Sequence, residues 1–206
     1  MLAWEERRYR TEDGGDPSGK TPIAGEAKVS AEELERYAER RQLRIGAGSA
    51  EAYLAFGRDY GIRGDVAFCQ ALYETRMLSS RRIVPLSANR LPDLWGVAGR
   101  DELWTDRFVE EHIRLLYGFS TEADLPARRT KEFGRSEERL LMLEELGWRG
   151  KARFWEELGG MWSSSAWHYG QDIAAIWRNL SLWAGIRKER MERDRKKTAA
   201  VANGEG

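Results

Sequence analysis

The chain has 206 residues, no formal net charge, 33% charged and 41% hydrophobic side chains. That is enough for one domain with a core and some tail, and a balanced charge gives no case for a nucleic-acid partner. No run of 18 apolar residues could span a membrane, Cys69 stands alone so that internal disulfides and cysteine-based metal sites are excluded, and the two histidines, His112 and His168, are too far apart in sequence to suggest zinc.

Residues 1–20 are polar and contain Gly14-Gly15-Asp16-Pro17-Ser18-Gly19, so a mobile lead-in is expected. The start Met1-Leu2-Ala3-Trp4-Glu5-Glu6 has acidic residues and no apolar run behind it, and does not read as a secretory signal. Ser30 and Glu33 form a capping box. Leu34, Tyr37 and Ala38 continue it as an apolar stripe, which predicts a helix to about Leu43. A second helix is predicted from Ser49 to Tyr60, closed by Gly61.

The next stretch carries the most information. Asp65 can cap a new helix and complement its dipole. From Val66 to Tyr73 nearly every residue is apolar on all faces, which predicts a buried helix running to about Leu78. Glu74 sits near the end of the apolar run, with Gln70 one turn earlier on the same face. Apolar neighbours disfavour the charged form of a carboxyl group, as a general acid working near neutral pH requires. An ordinary glutamate at the exposed end of a core helix fits the same spacing.

Residues 79–104 contain Pro85, Pro92, Gly96 and Gly99 with short apolar pieces, and read as loop with a small hairpin. A helix follows from Thr105 to about Phe119, with Phe108, Val109, His112, Ile113 and Leu116 on one face. A histidine so placed is most simply a satisfied core residue. Thr121–Arg135 is a polar connection. Ser136 opens another helix, with Leu140, Leu141, Leu143 and Leu146 expected to be buried and Gly147 as its stop. Ala152–Leu158 is a predicted short helix. The last helix is predicted from Gln171 to Arg187, followed by seven basic and three acidic residues over 187–197 and a disordered end. Six of the nine tryptophans fall after residue 147. Core packing accounts for Trp177 and Trp183, and flat platforms for sugar rings are the other use of such residues.

The run Gly61-Ile62-Arg63-Gly64-Asp65-Val66-Ala67-Phe68-Cys69-Gln70-Ala71-Leu72-Tyr73-Glu74-Thr75 resembles the catalytic-helix motif of the glucosaminidase-domain family of peptidoglycan hydrolases, close to G-[VI]-R-G-D-V-A-F-x-Q-x-x-x-E-T-G. Arg76 stands where that family usually has Gly. Thr21-Pro22-Ile23-Ala24-Gly25 resembles the T-P-I-x-G segment that precedes the domain. Asp93-Leu94-Trp95-Gly96-Val97 resembles its N-N-[LF]-[FWA]-G-[IL] segment, with Asp93 or Asn89 as the equivalent asparagine. In Val109–Ser120, His112, Ile113 and Leu116 match a further family segment, and Trp162–Ile173 resembles W-A-x-P-x-x-x-Y-G-x-x-I. The segments fall in the family's order, from about Thr21 to Leu180.

The resemblance implies a mainly α, lysozyme-like α+β single domain over 21–187, with a small irregular or β-hairpin lobe facing the catalytic helix. It implies an endo-β-N-acetylglucosaminidase acting on peptidoglycan glycan strands, a monomer without cofactor, with Glu74 as general acid. Of the available carboxylates Asp93, Asp101, Glu102 and Asp106, the second is then Asp101 or Glu102, in the Gly-flanked segment, unless the substrate's own acetamido group assists. Gln70, Asn89, Asp93, Trp95, Trp162 and Tyr169 are the expected substrate-binding residues, Tyr169 as a cleft-lining group. Without a signal, the protein would reach the cell wall by phage- or spore-associated release, or after removal of a leader. A catalytically impaired glycan-binding relative, favoured by Arg76 and by Glu110-Glu111, and a lytic transglycosylase are the alternatives.

Overall fold

The computed structural model describes residues 19–43, 45–79, 104–130, 136–162 and 168–202, and for 75–79 the backbone alone. Six α-helices are described: α1 (Ala31–Arg40), α2 (Ser49–Tyr60), α3 (Gly64–Ser79), α4 (Asp106–Ser120), α5 (Ser136–Glu145) and α6 (Tyr169–Ala202), with a 3-10 turn at Trp155–Leu158. The mainly α class holds. No strand occurs among the described residues, whose only sheet-like pairings are the isolated bridges Pro22–Phe154 and Ala24–Ile62. The segment expected to form the opposing lobe lies almost wholly outside them.

The buried helix is where the apolar run placed it. Val66 to Leu72 are at most 2% exposed, and α3 packs against α2 on one side and α6 on another. Two close approaches make this possible. A Cβ on Gly64 would lie 2.2 Å from the Tyr53 carbonyl oxygen, and one on Gly57 would lie 2.7 Å from that of Ile62. Between them Gly61 turns the chain at φ +65°, and its N–H bonds to the Arg58 carbonyl.

The Thr21–Gly25 segment is a clip. Ile23 N–H bonds to the Arg153 carbonyl and Arg63 N–H to the Ile23 carbonyl, both at 2.9 Å. Gly25 N–H bonds to the Gly61 carbonyl, and Trp155 N–H to the Thr21 carbonyl. Thr21 also donates from both N–H and hydroxyl to Glu156. One short extended piece thus ties the entry of α3 to the turn that leads toward α6. This pairing holds Phe154 extended, so the helix predicted from Ala152 shrinks to the 3-10 turn.

Other differences have simple causes. The capping box at Ser30 and Glu33 is present, but α1 stops at Arg40, where the Arg41 N–H is shared between the carbonyls of Tyr37 and Ala38. In α5, Leu140 and Leu143 are buried while Leu141 is 59% exposed, and Leu146, just past the helix end, is 40% exposed. The helix docks by a narrow face over Gly118, with Leu140 and Leu143 the nearest side chains to that glycine. On α4, Glu110, Glu111 and Arg114 are buried along with the apolar stripe. The 121–130 connection folds back over them: Glu110 accepts from the Tyr60 hydroxyl and from the N–H groups of Arg129 and Thr130. The last helix starts two residues early and continues to Ala202. Glu189–Arg193 and Glu192–Lys196 have the favourable i, i+4 order, and no Gly or Pro interrupts the stretch after Gly185.

Candidate functional site

Glu74 lies half-buried on α3, one turn beyond the fully buried Gln70. Its neighbour comes from far along the chain. The Tyr169 hydroxyl, on the first residue of α6 and 2% exposed, donates to Glu74 Oε1. Gln70 Nε2 donates to that same hydroxyl oxygen at 2.9 Å. The three residues that the motif readings nominated from Gln70, Glu74 and Tyr169 therefore form one hydrogen-bonded group, although Tyr169 is 95 residues from Glu74.

The group continues inward. Gln70 Oε1 lies 2.9 Å from His112 Nε2, and His112 Nδ1 lies 3.0 Å from the Tyr53 hydroxyl. Because Gln70 turns its NH2 to Tyr169, its carbonyl faces His112. The His112 Nε2 must then carry hydrogen, and Nδ1 accepts from Tyr53. Burial, helped by the positive charge of Arg139, holds His112 well below the usual histidine pKa, so the ring is neutral. Burial likewise pushes the Tyr53 hydroxyl well above its usual value.

Two further residues stand beside this group that the sequence reading did not nominate. The Tyr73 hydroxyl donates to Asp172 Oδ2 at 3.3 Å, and the Tyr73 ring meets that of Tyr169 edge-on at 5.6 Å. Burial, then the charge and hydrogen bond of Asp172, then the charge of Glu74, raise Tyr73 to about 12. Both carboxylates thus act on one phenol. Asp172 is exposed, one turn along α6 from Tyr169. Its i+3 spacing from Tyr169 was the available signal, once Tyr169 is set beside Glu74.

The Arg63-Gly64-Asp65 run fixes where α3 begins. Asp65 is fully buried and does more than cap. Its Oδ2 accepts from Arg63 at 3.1 Å, from the Trp177 indole at 2.7 Å and from the Lys28 N–H at 3.0 Å. The Arg63 guanidinium also lies 4.2 Å over the Trp177 ring. Asp65 therefore bolts α3 to α6 two turns below the Glu74–Tyr169 contact. At the other end, a Cβ on Gly170 would lie 1.7 Å from the Trp155 carbonyl oxygen, so this glycine lets Tyr169 descend onto α3.

Other nominated residues stand differently. Trp162 is 4% exposed and packs against His112 and Phe119, with ring centroids 5.4 and 5.6 Å away. It is a wall behind the hydrogen-bonded group and presents no platform to a sugar. Gln70 is fully buried and supports Tyr169; it does not face solvent. Asn89, Asp93, Trp95, Asp101 and Glu102 lie outside the described residues, as does the Arg76 side chain. A groove of about 410 Å³ beside α2, lined by residues including Glu51, Phe56, Asp106 and Arg129, contains none of the nominated residues. Among the described residues no group of His, Cys, Asp and Glu is arranged to hold a metal ion, and no helix is long and apolar enough to cross a membrane.

Comparison with protein-family models, with curated proteins and with solved structures gives no match for this chain.

Proposed function

We propose that the chain is a peptidoglycan hydrolase of lysozyme-like type, an endo-β-N-acetylglucosaminidase in which Glu74 is the general acid. The observation that carries this reading is the Tyr169–Glu74 hydrogen bond at the end of a buried helix. Two motif segments nominated these residues independently, and the fold brings them into contact. The bond holds the Glu74 carboxyl group in one orientation at the end of α3. In this reading Glu74 protonates the glycosidic oxygen as the bond to N-acetylglucosamine breaks. The incoming water loses its proton to a second carboxylate, or the substrate's acetamido group closes on the anomeric carbon first. Asp101 and Glu102, in the proposed lobe facing α3, remain candidates for the second carboxylate. Asp172 joins them, because Tyr73 holds it beside the same site. The substrate is the glycan strand of the bacterial cell wall.

The test is mass spectrometry of peptidoglycan digested with the purified protein. Reducing ends at N-acetylglucosamine are expected, and Glu74→Gln should lower their release about 10²–10⁴-fold. Anhydro-sugar ends would reassign the chain as a lytic transglycosylase. A glycan-binding relative without chemistry is the second reading, favoured by Arg76 in place of glycine; walls bound equally by parent and Glu74→Gln, with no fragments from either, would establish it.

A further inference from the structure

The hydrogen-bonded chain that ends on Glu74 starts at Tyr53 on α2 and His112 on α4. A glutamine amide can meet a tyrosine hydroxyl in two ways. Its NH2 can donate to the phenol oxygen, or its carbonyl can accept the phenol proton. In the second arrangement the proton of Tyr169 would point away from Glu74. Gln70 takes the first, and its other end explains why.

We propose that His112 is a positioning residue for Glu74: its Nε2–H fixes the Gln70 amide, and through it aims the Tyr169 hydroxyl proton at the Glu74 carboxyl. With the Gln70 NH2 facing Tyr169, the links run in one direction. Tyr53 is fully buried, and its hydroxyl proton has His112 Nδ1 at 3.0 Å to accept it. That leaves Nε2 to bear the ring hydrogen, which calls for an acceptor at 2.9 Å, so the Gln70 carbonyl turns to it. The Gln70 NH2 then faces Tyr169 and supplies its oxygen with a proton. Tyr169 passes its own toward Glu74. A reversed tautomer would reverse every donor in the chain. Trp162 also packs on the ring, and Arg139 on α5 acts on it as a positive charge. Around Glu74 stand Tyr169, Tyr73 and, beyond Tyr73, Asp172.

This inference uses the Glu74 of the proposed hydrolase, but its test does not depend on turnover. A donor aimed at a carboxylate favours the charged form. The carboxyl carbon of Glu74, identified by its loss in Glu74→Gln, is titrated by NMR in protein with ¹³C-labelled glutamate. Tyr169→Phe and His112→Leu should each raise its midpoint relative to the parent by roughly one pH unit. The double variant should move it no further than Tyr169→Phe alone, and His112→Gln, which keeps a donor near Nε2, should restore the parent midpoint. An unchanged midpoint in His112→Leu, or fully additive shifts, would overturn the proposal. If His112→Leu does not fold, the ¹⁵N spectrum of the parent decides: hydrogen on Nε2 supports the proposal and hydrogen on Nδ1 sinks it. A protein that passes this test yet releases no glycan fragments keeps the positioning role and loses the hydrolase.

Discussion

Single side chains in this molecule are defined by partners far away in sequence. Asp65 is the sharpest case. Its position after two glycines announces a helix start, and it does lie in the first turn of α3. Nothing local announces that it also receives Arg63, Trp177 and the Lys28 N–H. Asp65→Ala would leave the Arg63 guanidinium, 4% exposed, without its carboxylate. A loss of about 3–5 kcal/mol in denaturant unfolding is expected. Tyr169→Phe tests a different quantity. It removes one hydroxyl at the end of the buried chain, so stability should change by only about 1 kcal/mol, while the basic limb of the pH profile of the proposed hydrolysis moves to higher pH. The limb moves that way because the general acid must be protonated, and losing a donor to its charged form keeps it protonated longer. An unmoved limb in kcat/KM would remove Tyr169 from the mechanism.

At the scale of elements, the apolar pattern was a good guide to helices and a poor guide to their margins. The α3 run is apolar on every side, and burial on every side is what the fold delivers. The α4 stripe was legible too, but not the burial of Glu110, Glu111 and Arg114, because the 121–130 connection that covers them carries no periodic signal. His112 was readable as a core histidine. Its link to Glu74 was not, since its partners lie 42 and 59 residues away. The pattern ends the last helix at Arg187, and intrinsic propensity carries it on to Ala202 instead. Because residues 188–196 are exposed, ending the chain at Arg190 should change the denaturation midpoint little, by less than about 0.5 kcal/mol, while lowering the helical circular dichroism. Close packing is less forgiving. Gly64→Ala drives a methyl group against the Tyr53 carbonyl, 2.2 Å from the new carbon. It should cost about 2–3 kcal/mol and, through Tyr53, disturb the His112 resonance.

The whole molecule should be least stable in acid. His112 is held neutral with its pKa well below the usual value, chiefly by burial. The unfolded chain takes up this proton near pH 6.5, whereas the folded one does not. Stability is therefore lost as pH falls below about 6.5, at about 1.4 kcal/mol per pH unit until the folded ring titrates. Glu110 adds a second loss. Burial opposes its charge, but hydrogen bonds from Thr130, Arg129 and Tyr60 prevail and hold its pKa below the usual carboxylate value. Its contribution is present above about pH 4.5 and disappears as pH falls through the folded value. Denaturant midpoints between pH 2 and 8 would show both losses, and His112→Gln should flatten the upper one alone. A midpoint independent of pH between 5 and 7 would contradict the buried neutral ring.

The bonds around Glu74 also set an order of events during synthesis. Gln70–Tyr169, Tyr73–Asp172 and Asp65–Trp177 span 99, 99 and 112 residues. The most apolar helix is made early and waits until about a hundred more residues have emerged before its α6 partners exist. Such distant pairings slow folding and leave apolar surface open in the meantime. A nascent chain stopped at residue 160 should hold α3 without its cover and depend on chaperones, and one stopped past Trp177 should not. Glu74 would then be among the last parts of the protein to acquire its surroundings.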